Sequence, residues 1–441
     1  MYSATHAAVY AQMILPDGTN KGVHVYFVQL RGADLRPLPG IEMGDIGAKL
    51  GDNDTPIGYL RMRDVRIPRR HLMEARSHVT RQGEYVLGPP PPSSTHSSTP
   101  QTSIKKPASE AAGGAGGAGN NHTKPKKKNV AHYITMLKTR IGLTNTAASA
   151  LAKAATIATR YSAVRLQGFA VGSTGAMNGV ENQILDYQVQ LFRVLRWTST
   201  AFAIKFVARW LLRRRKEAEA TMKSGEGNND DLPEVHASAA GLKALCCCLA
   251  ADGIEDLRRA CGGHGYLMSS GIAPLEADFK GPNTTAEGDY VVLALQTARF
   301  LLKMVDVARA GDVGALPGTT TIFARLADPN FVPSRGDGRP VPPHDLVAAL
   351  TGTEERGAAT ARQYLSELFA YRSLVRCSRM SHAYKASLER ARRAGSSDPV
   401  KTAREQNARV LQTGALAHVR YFMLSKFFSE VEQVPPGPER L

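Results

Sequence analysis

A change of composition in the first third of the chain constrains its fold more than any other feature. Between Gly88 and Asn129 come four successive prolines, clusters of Ser and Thr, the run from Gly113 to Gly119, and six lysines against one acid, Glu110. Almost no large apolar side chain interrupts it. Such a segment cannot bury enough apolar surface to offset the entropy of ordering it, so residues 89–130 are expected to form a disordered linker. The hydrophobic period is close to two before this segment and close to 3.6 after it. That switch predicts a β-rich part followed by a helical part.

In residues 1–88, the stretches 7–15 and 22–30 are apolar and partly alternating, and Pro16-Asp-Gly-Thr-Asn20 between them suits a hairpin turn. Further on, Leu60 and Met62 alternate with Arg61 and Arg63. Three or four such strands read as part of an antiparallel sheet or barrel with open edges. After the linker, helical patterns cover 130–167, 183–220, 232–261 and 288–307. The second places Ile184, Tyr187, Leu191 and Leu195 on one stripe, and the fourth does so with Val291, Leu295, Ala298, Leu302 and Val305. These four suit an antiparallel bundle over 131–310. Residues 311–343 are rich in Gly and Pro and read as a connection, and two more helical patterns within 344–441 form a partial second helical domain. The expected class is therefore α+β: a partial antiparallel β-barrel domain, then an antiparallel α-helical bundle, then the partial helical domain. No repeat of 20 to 50 residues is present, which argues against a solenoid.

A net charge of +17 and a pI near 9.7 favour contact with polyanions. The excess is spread along the chain, however, and no aromatic residues interleave with the linker lysines, so a solvated linker is favoured over nucleic-acid binding. The five cysteines, at 246, 247, 248, 261 and 377, have neither a plausible disulfide framework nor the paired spacing of a zinc site, so no metal is expected. No apolar run in the sequence approaches the ~20 residues of a membrane helix, so no membrane span is expected.

Chemistry concentrates in Ala260-Cys-Gly-Gly-His-Gly-Tyr266 and in Thr284-Thr-Ala-Glu-Gly-Asp289. Glu287, beside Gly288 at the mouth of the fourth helix, suits a base that takes a proton from a bound flat substrate. An acid favoured by the helix dipole in the first turn, with Thr284 or Thr285 as N-cap, is an equally good reading of the same residues. The glycine turn at 262–265 reads first as a helix C-cap, and His264 as a packing histidine. Arg165 and Gln167 offer a cation and an amide at a helix end that suit a pyrophosphate, although an exposed arginine is the commoner meaning.

Taken together, these segments resemble the acyl-CoA oxidases. The matching blocks are Ala251-Asp-Gly-Ile-Glu255, Cys261 to Tyr266, Ser270-Gly271, Thr285-Ala-Glu-Gly-Asp-Tyr290 and Leu295-Gln-Thr-Ala-Arg-Phe-Leu-Leu-Lys303. Gly44-Asp-Ile-Gly47, Val65-Arg-Ile-Pro-Arg69, Ala158-Thr-Arg-Tyr-Ser-Ala-Val-Arg165 and Ala240-Gly-Leu-Lys243 add to them. Ala286 and Tyr290 stand where the family has an aromatic residue and Asn. The resemblance implies an FAD enzyme that oxidises a fatty acyl-CoA to the trans-2-enoyl-CoA, with molecular oxygen reduced to hydrogen peroxide. It implies Glu287 as the base, and Arg165, Gln167, Gly262, Gly263 and Gly288 as cofactor-binding residues, with Arg165 reaching the FAD of a neighbouring subunit in a homodimer. It also implies a peroxisomal protein; the terminal Glu439-Arg-Leu441 has a basic penultimate residue and a terminal leucine, as do addresses of the Ser-Lys-Leu type. Measured against that family the chain is expected to be truncated at its N-terminus and at its C-terminus, which bears on whether it works alone. An acyl-CoA dehydrogenase, a non-catalytic dimerisation partner and polyanion binding through the linker are the alternatives.

Overall fold

A computed structural model of the chain describes residues 3–74, 77–88, 130–169, 181–224, 231–328 and 355–435. The linker, residues 329–343 of the connection and the C-terminal tripeptide lie outside the described residues. The chain divides into two compact units, residues 1–49 with 53–126, and residues 50–52 with 127–441. Each is described by itself.

The first unit is built from hairpins. Strands β1 (His6–Ile14) and β2 (Asn20–Gln29) pair antiparallel from His6 opposite Gln29. The turn expected at 16–20 closes them, with the Leu15 N–H donating to the Thr19 carbonyl at 3.0 Å. Strands β3 (Ile41–Asp45) and β4 (Gly58–Met62) form a second pair, and β5 (Ser77–Val79) with β6 (Tyr85–Leu87) a third. The alternation at 60–63 has its expected effect: Leu60 and Met62 pack on Val28, Leu30 and Ile41, while Arg61 and Arg63 are exposed. The expected barrel is a different matter. The three ladders have two strands each, and among the described residues they neither join into one sheet nor close, because strands of three to five residues leave too little edge to pair further.

The second unit is helical: α1 (Val130–Val164), α2 (Gln188–Ser224), α3 (Asp231–Ala260), α4 (Ile272–Thr285), α5 (Tyr290–Arg309), α6 (Glu355–Arg393), α7 (Pro399–Gln406) and α8 (Ala408–Val431). A short ladder of β7 (Leu166–Phe169) and β8 (Glu181–Gln183) follows α1. Alanines 147, 154, 155 and 158 on α1 are buried, and these small side chains let α3 approach with its Leu242, Cys246, Ala250 and Ile254. Helix α8 enters the same core, where Phe422 meets the Trp210 ring of α2 at 4.7 Å between centroids.

One sequence expectation needs correcting here. The stripe read on the second helix faces outward: Tyr187 is 44%, Leu191 39% and Leu195 56% exposed. The buried face of α2 is instead Val194, Trp197, Ala201, Ile204, Val207 and Leu211. Both faces of this helix carry apolar residues, so period alone cannot choose between them. Asp256 of α3 fixes the rotation, pairing with Arg193 at 2.8 Å and accepting the Trp197 indole N–H at 2.8 Å. Among the described residues α3 alone, over Leu232–Ala260, is long and apolar enough to cross a membrane by length and composition. Since 78% of that window is buried within the unit, the helix reads as the central core helix. Its Cys246 and Cys247 are buried and Cys248 is half-buried, all as free thiols. Burial raises the three thiols, Cys247 to about 12.

Candidate active site

Glu287 lies in the four-residue connection between α4 and α5. Helix α4 ends at Thr285, where the Ala286 N–H reaches back to the Pro282 carbonyl at 2.8 Å. Helix α5 begins at Tyr290, capped by Asp289, whose carboxylate accepts from the Val291 N–H at 2.8 Å. The first-turn reading of Glu287 therefore does not describe it. Thr284 and Thr285 are not caps either, since their hydroxyls donate back to the Lys280 and Gly281 carbonyls at 2.7 and 3.2 Å.

Glu287 has φ 59°, the left-handed region, which costs a residue with a Cβ about 1–3 kcal/mol. Gly288 follows at φ 118°, and a Cβ there would stand 2.6 Å from the Leu293 side chain. The glycine is thus demanded by the backbone itself. The Glu287 side chain is half-buried.

Two fully buried cations lie beneath this turn. Lys243 of α3, 0% exposed, donates from Nζ to the Gly288 carbonyl at 2.9 Å and the Thr284 carbonyl at 3.2 Å. Arg140 of α1, 1% exposed, donates from Nε to the Glu287 carbonyl at 3.2 Å, and its Nη1 lies 3.4 Å from Nε2 of His236. Burial lowers the pKa of both cations; for Arg140 the charge of Glu287 opposes the shift. His236 is likewise held below its ordinary value, by burial first and then by the Arg140 charge, which favours a neutral imidazole that accepts from the guanidinium. Sequence reasoning gave none of these three a role. A signal existed for Lys243, the only charged residue between Glu234 and Asp252 in an otherwise apolar helix.

The remaining predicted residues gather elsewhere. Helix α3 ends at Ala260, and Gly262 at φ 56° turns the chain out of it, as the C-cap reading expected. Gly265 is structural, because a Cβ there would meet the Arg258 carbonyl oxygen of its own helix. Gly262 and Gly263, in contrast, have nothing within 4 Å of where a Cβ would sit. His264 lies with Nδ1 3.1 Å from the Tyr161 hydroxyl on α1, so it packs as expected. Arg165 and Gln167, just past the end of α1, are exposed, and among the described residues the Arg165 guanidinium has no partner. Arg140 and Tyr161 are 21 residues apart on one helix, about 30 Å at a rise of ~1.5 Å per residue. Within one chain the structure therefore brings Arg165, Gln167, Gly262 and Gly263 to one end of α1, and Glu287 with Gly288 to the other.

Residues 133–302 match the acyl-CoA oxidase C-alpha1 domain family. Peroxisomal acyl-coenzyme A oxidase 1 of Arabidopsis thaliana is 39% identical over 329 residues, which is 74% of this chain and 42% of that protein. The solved structure of Arabidopsis thaliana acyl-CoA oxidase 1 superposes on 100% of this chain and 56% of its own, with TM-score 0.74 and 31% identity. The chain belongs to the acyl-CoA oxidase family. Acyl-CoA oxidase-2 of Caenorhabditis elegans, solved bound with FAD, ascaroside-CoA and ATP, aligns with TM-score 0.74 at 27% identity over 100% of this chain and 54% of its own. The chain spans about half the length or less of these relatives.

Proposed function

We propose that this chain carries the base and part of the cofactor site of a peroxisomal acyl-CoA oxidase, which converts a fatty acyl-CoA to the trans-2-enoyl-CoA and reduces oxygen to hydrogen peroxide. The observation that carries the reading is Glu287, at a left-handed turn whose carbonyls are bonded by two buried cations, in a chain whose relatives bear that activity in their names. In this reading residues 1–88 are the later part of the β domain, 131–310 the bundle that carries the site, and 344–441 part of the second helical domain.

The α-proton of a thioester is a weak acid, so Glu287 removes it only if negative charge on the thioester oxygen is stabilised as it develops. Among the described residues the Glu287 N–H donates to no protein acceptor, which leaves it available for that oxygen. A carboxylate on a fixed backbone also loses little freedom in reaching the proton.

The Arg165 end fits FAD. An exposed guanidinium without a partner suits a pyrophosphate, Gln167 adds an amide, and the open backbone at Gly262 and Gly263 admits a nucleotide without clash. Bound FAD supplies the acceptor for the hydride from the β-carbon and the route of the electrons to oxygen. Because the two clusters lie about 30 Å apart along α1, a homodimer in which the Arg165 end of one copy completes the Glu287 end of the other fits both. The exposed Phe192, Leu195, Tyr266 and Met268 suit such an interface.

The test is peroxide formation from a fatty acyl-CoA with oxygen as the only acceptor, in FAD-loaded protein and its Glu287→Gln variant. Peroxide from the parent and about 10²–10⁴-fold less from the variant is expected. Equal turnover by both sinks the assignment of the base, and enoyl-CoA formed only with an added electron acceptor points to a dehydrogenase.

A further inference from the structure

We propose that Lys243 is a positioning residue that holds Glu287 in its left-handed backbone conformation, an inference whose catalytic meaning rests on the reading of Glu287 as the base. The two carbonyls that Lys243 bonds belong to Thr284 and Gly288, one on each side of Glu287. The first is among the last carbonyls of α4, which have no partner within their own helix, and the second immediately precedes the cap of α5. One ammonium group thus fastens the end of one helix to the start of the next across the turn that presents the carboxylate. Its charge also sits at the negative end of the α4 dipole.

Neither of two simpler roles accounts for this side chain. As a filler of space, a methionine of similar length would serve without the desolvation of a cation. As half of an ion pair Lys243 lacks a bonded partner, since among the described residues its ammonium bonds carbonyls and no carboxylate, and the Asp289 charge acts on it only without a bond. A buried ammonium with only main-chain acceptors acts on the main chain. The main chain it acts on is strained: a residue with a Cβ at φ 59° persists only where its surroundings over-determine it. With the Thr284 and Gly288 carbonyls released, the turn is free to relax to a negative φ at 287. That rotation swings the Cα–Cβ bond, and the carboxylate with it, away from its present direction.

The decisive experiment is a double-mutant cycle in thermal stability with Lys243→Met and Glu287→Gly, on the whole chain. Glycine is at ease at positive φ, so Glu287→Gly is expected to raise the Tm while Lys243 is present. In the Lys243→Met background, where the turn has already relaxed, less than about half of that gain is expected to remain. Equal gains in the two backgrounds overturn the proposal. If Lys243→Met does not accumulate as folded protein, the cycle is run with Lys243→Gln and read by the same two outcomes.

Hydrogen exchange supplies a second readout. The bonded amides of Ala286 and Gly288 are expected to exchange about tenfold faster in Lys243→Met, with those of the α3 core unchanged. Unchanged exchange at these two amides overturns the proposal as well. In FAD-loaded protein, Lys243→Met is expected to lower kcat with little change in KM, because the substrate binds but the base is misdirected. If kcat survives Lys243→Met but not Glu287→Gln, positioning fails and the base assignment stands. If turnover survives Glu287→Gln, the base assignment fails, and the stability cycle still decides what Lys243 does to the backbone.

Discussion

At one end of α1, Arg140 is buried and bonds the Glu287 carbonyl, whereas at the other end Arg165 is exposed and has no partner among the described residues. Around Glu287 the surrounding helices supply fixed donors, and the backbone holds a strained conformation against them. Around Arg165 the glycine backbone is open and the neighbouring Phe192, Leu195, Tyr266 and Met268 face outward. Equal charges along α1 and just past its end thus do different work. The buried guanidinium fixes the position of a group within the chain, and the exposed one is free to receive a ligand or a second chain.

The largest effects should separate the two ends. Glu287→Gln is expected to cut turnover by about 10²–10⁴-fold while leaving FAD affinity as it is. Arg165→Ala should do the reverse, weakening FAD binding by about tenfold or more with turnover at saturating FAD largely kept. Titration of FAD fluorescence alongside initial rates tells them apart, and a common loss of both quantities in each variant would remove the division.

Acid should act on the core between the two ends. His418 of α8 is buried beside the Phe323 ring, with Nδ1 3.1 Å from the Ser373 hydroxyl, and burial lowers its pKa to about 4. Because the folded value lies below the unfolded 6.5, its contribution to stability is complete above pH 6.5 and is lost as pH falls through 4. The loss is about 3 kcal/mol, and urea unfolding of His418→Asn between pH 7 and 4 should lack it.

Smaller effects test the caps and faces. Asp289→Ala removes the cap next to the strained turn and should cost about 1 kcal/mol in urea unfolding. Leu195→Ser on the open face should change the stability of a monomer by less than about 0.5 kcal/mol, yet weaken self-association in sedimentation. A large stability loss from Leu195→Ser would show that this face is not open.

The helical part of the fold could be read because long helices repeat their pattern many times. The β part was read strand by strand but not as a closed whole, since closure depends on edges that hairpins of three to five residues do not specify. On α2 the period was right and the face wrong, because what rotates the helix is Asp256, 63 residues beyond Arg193. Glu287 could be found from its neighbours in sequence. What surrounds it could not, as Arg140 and Lys243 reach the turn from helices that begin about 150 and 50 residues earlier and bond main-chain atoms, which leave no mark on residue type. The lone lysine in an apolar helix was the one visible trace.

The three adjacent cysteines of α3 gain a chemical meaning from their burial. Oxidants attack the thiolate rather than the thiol, and a thiol raised to about 12, as at Cys247, is almost never ionised near neutral pH. In a protein proposed to release peroxide, the helix that carries Lys243 therefore keeps its sulfur in the form that peroxide attacks most slowly, and the support beneath Glu287 is shielded from the product of its own reaction.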